Sequence, residues 1–316
     1  MRIFRHERAE DADRGAAVAI GNFDGLHPGH QAVIAAAGRA ARAAGAPHAV
    51  LTFEPHPYAV FHPAAAPFRL TPFRSKARHI EALGVDLLFA LHFDREFAKR
   101  TAEQFVDDIL VRGLGARHVV VGDDFVFGNQ RRGTAEFLLK VAPARGFAVI
   151  VVERVMAPAG EIYSSTRIRE HLTSARPREA AKLLGRWWEI DGRVEHDTGV
   201  GKDLGYPTAN LPLADYLRPA SGIYAAFAGI EDGKRTDWFP AAAYVGTRPT
   251  LGAYPLGLEA YLIDFAGDLY GRHLRVALVE HLRPDAAFAG LEALKVQIGD
   301  DIAQARRALA GEKPEP

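Results

Sequence analysis

The sequence predicts two fold classes in series: an α/β domain on a parallel sheet, then a small antiparallel β-barrel with a C-terminal helix. Three observations carry this expectation. Strand-length apolar runs alternate with helical patterns up to about residue 186. From Trp187 the pattern turns to short strands punctuated by glycine and proline. Residues 288–309 then carry Phe288, Leu291, Leu294, Val296, Ile298 and Ile302 on an amphipathic helix. Alternating strands and helices bury a parallel sheet between helix layers, whereas evenly spaced short strands suit a barrel. The expected domains are 1–186 and 187–316.

Taken in order, AAVAI (16–20) reads as the first strand and 28–45 as a helix, with Pro28 in its first turn and Gly45 as its stop. HAVLTF (48–53) is a strand, 75–84 a helix and 85–93 a strand. The helix at 101–115 opens on a Thr101–Gln104 capping box. HVVVG (118–122), a helix near 134–145 and AVIVVER (148–154) complete the series, and two short helices near 165–174 and 178–185 lead to the boundary. The second half offers strands at 187–196, 222–230, 238–246, 258–265 and 274–282, and the tail GEKPEP is expected to fray.

Composition excludes several classes. Lys plus Arg and Asp plus Glu both number 39, so the chain lacks the excess positive charge of a dedicated nucleic-acid binder. No cysteine is present, which removes disulfides, thiolate catalysis and Cys-based zinc sites. The charged N-terminus has no apolar signal core, and no stretch reaches the ~18 apolar residues of a membrane span. A cytoplasmic protein with no membrane partner is expected.

Two stretches of the first half carry chemistry. GNFDGLHPGH (21–30) lies between a strand and a helix. Loops after strands of a parallel sheet face its ligand-binding edge, and a helix N-terminus offers free N–H groups to phosphate. His27 and His30 are spaced to share one face of the first helical turn, where two donors would stabilise a phosphoryl transition state. A glycine-rich turn with two surface histidines is the plain alternative. YSSTRIR (163–169) brings Ser164, Ser165 and Thr166 as caps or phosphate ligands and Arg167 and Arg169 as forked donors; an ordinary N-cap with a solvated basic face is the alternative there.

With these stretches, the order TFEPHP (52–57), VGDDFVFGNQRRG (121–133), GKDLGYPTANL (201–211), GTRPTL (246–251), LEAYLIDFAGDLYG (258–271) and LRPDAAF (282–288) resembles the bacterial bifunctional riboflavin kinase/FAD synthetase family over nearly the whole chain. The resemblance implies a Rossmann-like nucleotidyltransferase domain that moves AMP from ATP to FMN, giving FAD and pyrophosphate. It implies that His27 and His30 stabilise the transition state and that Gly21, Asn22, Phe23 and Asp24 shape the nucleotide loop. Ser164, Ser165, Thr166, Arg167 and Arg169 would hold phosphates. Asp124 and Phe125 would help build the flavin pocket, with a turn as the other role for Asp124. His56 suits a structural turn as well as a site.

For the barrel the resemblance implies a riboflavin kinase. Gly199, Gly201 and Lys202 would cover phosphates, on a spacing that is not a P-loop. Thr208 and Asn210 would contact Mg²⁺ carried by ATP, being neutral oxygen donors. Glu259 would be the base near the riboflavin 5′-hydroxyl, and Arg283 would line the flavin site, with a surface position as its alternative. Riboflavin, FMN, FAD and ATP are the implied ligands, Mg²⁺ the implied ion, and a weak homo-oligomer the implied assembly. Four residues depart from the family pattern: Lys202 for arginine, Tyr206 for phenylalanine, Tyr244 for asparagine and Trp187 for proline. Tyr244 is the one expected to weigh on the kinase. An adenylyltransferase with an impaired kinase half, or a non-catalytic flavin- or nucleotide-binding regulator, are the competing functions.

Overall fold

The computed structural model describes residues 1–157, 160–196, 205–233, 235–247 and 257–314. Contacts divide the chain into two compact units, Met1–Ala66 with Thr71–Tyr163, and Pro67–Leu70 with Ser164–Pro316.

The first unit contains β1 (Arg2–Phe4), β2 (Ala17–Ile20), β3 (His48–Glu54), β4 (Leu87–His92), β5 (His118–Gly122), a small hairpin of β6 (Val126–Phe127) and β7 (Gly133–Thr134), and β8 (Ala148–Val152). Six of them form one parallel sheet in the order β1-β4-β3-β2-β5-β8. Burial on both faces explains their unbroken apolar runs. Val18, Ile20, Leu51, Phe89, Val119 and Val121 face one core, whereas Ala19, Val50, Leu88 and Val120 face the other. Helices α1 (Pro28–Ala44) and α3 (Phe73–Ala82) cover the second face through Val33, Ile34, Ala77 and Ile80. The first face is covered by α4 (Ala102–Gln104), by the helical turns that follow it, and by α5 (Ala135–Arg145).

The Thr101–Gln104 capping box is present in both directions, at 3.2 and 2.9 Å. The expected helix nevertheless widens into a π-helix over Phe105–Gly113, and Leu114 N–H donates to Ile109 C=O five residues back. Apolar spacing alone does not separate the two windings. The short helix α2 (Pro57–Phe61) and the strand β1 also lie outside the sequence reading. Strand β1 is three residues at the sheet edge, held by pairing with β4 rather than by any pattern of its own.

The second unit opens with α6 (Ser165–Thr173) and α7 (Pro177–Leu184). It continues with β9 (Trp188–Arg193), β10 (Ala209–Pro212), β11 (Gly222–Asp232), β12 (Arg235–Gly246), β13 (Gly257–Leu262) and β14 (His273–Arg283). These form an antiparallel sheet ordered β10-β13-β12-β11-β14-β9. Glu195 N–H donates to Asn210 C=O at 2.9 Å and draws the two edges together, giving a half-barrel. Strand β10 is absent from the strands expected of the second half; a four-residue edge strand beside prolines has no pattern to show.

The closing helix α8 (Leu291–Leu309) packs Ala305 and Leu309 against Ala225, Phe227, Ile263, Ala277 and Val279. The tail is not frayed through Lys313. Trp187 Nε1–H donates to Lys313 C=O at 2.8 Å, and Arg178 holds the Glu312 carboxylate at 2.6 Å. A polar, proline-bearing tail looks free in sequence because its partners lie over a hundred residues away.

Candidate active site

The histidine loop leaves β2, which is buried at every residue, and enters α1 at the carboxyl edge of the parallel sheet. His27 is the N-cap of α1. Its Nδ1 accepts the His30 backbone N–H at 3.3 Å, so a neutral His27 carries its proton on Nε2. The two imidazoles stack with centroids 3.7 Å apart and planes 18° from parallel. Phe23 meets His30 edge-on at 5.5 Å, and Tyr163 lies parallel to His27 at 6.4 Å. Gly29 permits this packing, since a Cβ there would sit 3.2 Å from the His27 ring.

Of the other predicted loop residues, Asp24 is 3% exposed and accepts both the backbone N–H and the hydroxyl of Thr71, at 2.9 and 3.3 Å. Its carboxylate is thus engaged within the protein. Thr71 went unnoticed in the sequence because it lies 47 residues from Asp24. Asn22 C=O accepts the Thr52 hydroxyl at 3.3 Å, and Gln31 donates to Leu26 C=O at 2.9 Å. Gly21 continues the sheet through its N–H to Leu51 C=O.

Beside this loop the same sheet edge carries an aromatic cluster that sequence reasoning missed. Phe53 contacts Phe93, Phe97 and Phe105 with centroids 5.7–6.3 Å apart. Phe105 continues to Phe127 at 5.1 Å, and Phe127 to Phe125 at 5.4 Å. Phe61 joins through Phe93 and is 53% exposed. The available signal was phenylalanine recurring at strand ends. Phe125 stacks on Phe127 at one end of this cluster, while Asp124 is exposed on a turn closed by Phe125 N–H to Gly122 C=O. His56 caps α2 by accepting Tyr58 N–H at 3.1 Å, the structural role.

The hydroxyl–arginine stretch starts α6 in the second unit. Ser164 occupies the N-cap without a side-chain capping bond, and Thr166 and Arg167 are exposed. Ser165 follows in the first turn. Arg169 is turned to Phe68, donating Nε–H to its carbonyl at 2.8 Å with the guanidinium over its ring.

In the half-barrel, strand register gathers residues far apart in sequence. Asn210 pairs with Glu259, Glu259 with Tyr244, and Ile223 with both Tyr244 and Arg283. One lateral row across five strands thus contains Asn210, Glu259, Tyr244 and Arg283. Glu259 is half-buried, while its neighbours Leu258 and Ala260 point into the core. Tyr244 donates its hydroxyl to Thr247 C=O at 2.9 Å and lies so close over Gly246 that a Cβ there would collide with it. Arg283 makes a bidentate pair with Asp301 of α8 at 2.7 and 2.8 Å. The Asp301 carboxylate raises the Arg283 pKa against the opposing effect of burial. Asn210 Nδ2 donates to Thr208 C=O at 3.3 Å. Gly199, Gly201 and Lys202 lie outside the described residues.

Comparison with known proteins gives consistent matches. The FAD synthetase family matches residues 9–167 and the riboflavin kinase family residues 184–309. The chain is 38% identical to the bifunctional riboflavin kinase/FMN adenylyltransferase of Escherichia coli K12, over 99% of this chain and all of that one. The enzyme of the same description from Pseudomonas fluorescens is 42% identical, covering 94% of each. A crystal structure described as a macrolide-efflux protein from Streptococcus pneumoniae superposes with a TM-score of 0.81 at 30% identity, covering 96% of this chain and 98% of that one. Among the described residues here no helix is long and apolar enough to cross a membrane.

Proposed function

The chain belongs to the bifunctional riboflavin kinase/FMN adenylyltransferase family, and we propose how its residues divide the two reactions. The activities are formation of FMN from riboflavin and of FAD from FMN, each using ATP. We assign adenylyl transfer to residues 1–186 and phosphorylation to 187–316.

In adenylyl transfer an FMN phosphate oxygen attacks the α-phosphorus of ATP, and pyrophosphate leaves. His27, with its proton on Nε2, and His30 donate to the phosphoryl oxygens as charge builds. In the first turn of α1 the Gly29 N–H can add to this, since Pro28 has none and that of His30 is given to His27. Gly21, Asn22, Phe23 and Asp24 act by holding the loop. The flavin ring lies against the Phe125 end of the phenylalanine array. Ser164, Ser165, Thr166, Arg167 and Arg169 serve as phosphate ligands, with the Arg169 Nε–H given to Phe68 C=O.

In the kinase reaction Glu259 takes the proton of the riboflavin 5′-hydroxyl as that oxygen attacks the ATP γ-phosphorus and ADP leaves. Thr208 and Asn210 suit Mg²⁺ because they offer neutral, hard oxygens. The ion is proposed to arrive with ATP, already held by its phosphates. Bound there, Mg²⁺ would neutralise charge on the transferring phosphate. Gly199, Gly201 and Lys202 are retained as phosphate-covering residues. Arg283 acts chiefly by tying α8 to the row. A cytoplasmic location and a weak homo-oligomer complete the reading.

The observation that supports the kinase assignment is the Asn210–Glu259–Tyr244 register, and the stacked His27–His30 pair at the head of α1 supports the other. The test incubates the protein with riboflavin, ATP and Mg²⁺, beside a second reaction started from FMN, and separates the flavins over time. FMN should appear before FAD. FAD from FMN without FMN from riboflavin would favour the reading in which Tyr244 has impaired the kinase.

A further inference from the structure

We propose that Thr71 and Lys76 are positioning residues for adenylyl transfer, each anchoring a hydrogen-bond relay that grips the histidine-loop backbone. This rests on the reading that His27 and His30 act in that transfer.

Lys76 has no solvent-exposed surface and lies on α3 beside Ala77 and Ile80 of the apolar core. An ammonium is costly to bury without partners. Its Nζ lies 3.4 Å from Thr52 Oγ1 and 3.9 Å from a Glu54 carboxylate oxygen. An ammonium only donates, so the Thr52 oxygen is the acceptor. The Thr52 hydroxyl proton then points to Asn22 C=O, 3.3 Å away. This relay therefore runs one way, from Lys76 through Thr52 to the loop.

A second relay starts five residues earlier. Gly25 N–H donates to Thr71 Oγ1 at 2.8 Å, and the Thr71 hydroxyl and N–H both donate to the buried Asp24 carboxylate. Between and beside the gripped residues the backbone is left-handed, with φ of 49° at Phe23, 91° at Gly25 and 46° at Leu26. Such a conformation at phenylalanine and leucine persists only where the surroundings over-determine it. The relays hold Asn22, Asp24 and Gly25, interleaved with those residues, and the next residue after Leu26 is His27. Through the backbone they fix where both imidazoles stand.

The test is Thr52→Val and Thr71→Val, which keep side-chain shape but remove the hydroxyl, with Ser at each position as the conservative counterpart. Lys76→Met removes the first link, and His30→Ala is measured alongside. Both reactions are assayed on every variant. Displacing a catalytic group by ~1 Å costs up to ~100-fold, so the Val and Met variants should lose about 10- to 100-fold in adenylyl-transfer kcat. Their KM for ATP and FMN should stay within about twofold, since uniform binding is untouched. The Ser variants should recover most of the rate, and riboflavin phosphorylation should be unchanged, showing a folded chain. If a Val variant lost both reactions, Thr→Ala at that position would take its place, removing the hydroxyl without a substituted methyl. Wild-type kcat in the variants, loss through KM alone, or Ser no better than Val would overturn the proposal. If His30→Ala abolished transfer while the relay variants kept it, positioning alone would fail. Full transfer by His30→Ala would instead overturn the reading of the loop itself.

Discussion

In the first unit, His27 and His30 meet because they lie three positions apart, about one helical turn. In the second, Asn210, Glu259 and Tyr244 meet because three strands pair in one register. The first arrangement is local and survives as a motif. The second depends on long-range pairing, in which a one-residue slip turns every side chain to the other face of the sheet. The loop site therefore depends on its own backbone and on the few side chains that grip it, whereas the barrel row is sensitive to anything that shifts a strand.

The largest effect expected from this contrast is separation of the two reactions. Glu259→Gln should lower FMN formation by about 10²- to 10⁴-fold, the usual contribution of a general base, and leave FAD formation from FMN intact. His30→Ala should do the reverse, losing about 10²- to 10³-fold in FAD formation as for a lost transition-state donor. Chromatography of flavins from both starting substrates checks this, and one substitution stopping both reactions would break the comparison.

Next in size is the tie between the row and α8. Asp301→Asn leaves Arg283, 20% exposed in its side chain, with half a partner; about 2–3 kcal/mol of second-unit stability should be lost, below the ~3–5 of a fully buried pair. Urea unfolding followed by tryptophan emission reads that unit selectively, because Trp187, Trp188 and Trp238 all belong to it. An unchanged midpoint would show that α8 does not brace the row.

A smaller effect is expected at Tyr244. Tyr244→Phe removes the bond to Thr247 C=O, and at ~1 kcal/mol for one hydrogen bond the kinase kcat/KM should fall about fivefold. Adenylyl transfer should not respond. No change in either rate would place Tyr244 outside the working part of the row.

The smallest effect is electrostatic and is expected in both units alike. The Arg145 guanidinium lowers the Asp107 pKa in the first, and the Arg306 guanidinium lowers that of Asp264 in the second. A lowered carboxyl pKa gives stability that is present above the ordinary value of 3.8 and lost as pH falls through the lowered one. Asp107→Asn and Asp264→Asn should each flatten the acid limb of the stability curve slightly, while leaving the neutral plateau almost unchanged, since exposed pairs contribute little. Melting temperatures taken between neutral and strongly acidic pH would show it.

The alternation of runs such as AAVAI and HVVVG with capped helices was enough to declare a parallel sheet, because strands buried on both faces leave a continuous apolar record. The histidine loop was legible for a related reason: strand, glycines, two imidazoles and helix are contiguous. Glu259, Thr208 and Asn210 were named only through resemblance to a family. Their local patterns are those of an ordinary strand and turn, and nothing in them records which strand lies alongside. Strand β10, Thr71, Lys76 and the phenylalanine array stayed hidden for the same reason.

By itself, then, the sequence determined what each segment becomes and which residues share a helical turn, since backbone sterics, caps and apolar period act within a few residues. The tertiary structure alone decided that Arg283 faces Asp301, that Asp24 is held by Thr71, and that Asn210, Glu259 and Tyr244 stand in one row. Those outcomes depend on strand register and on the need of buried charges for partners, and both are met by groups tens of residues away.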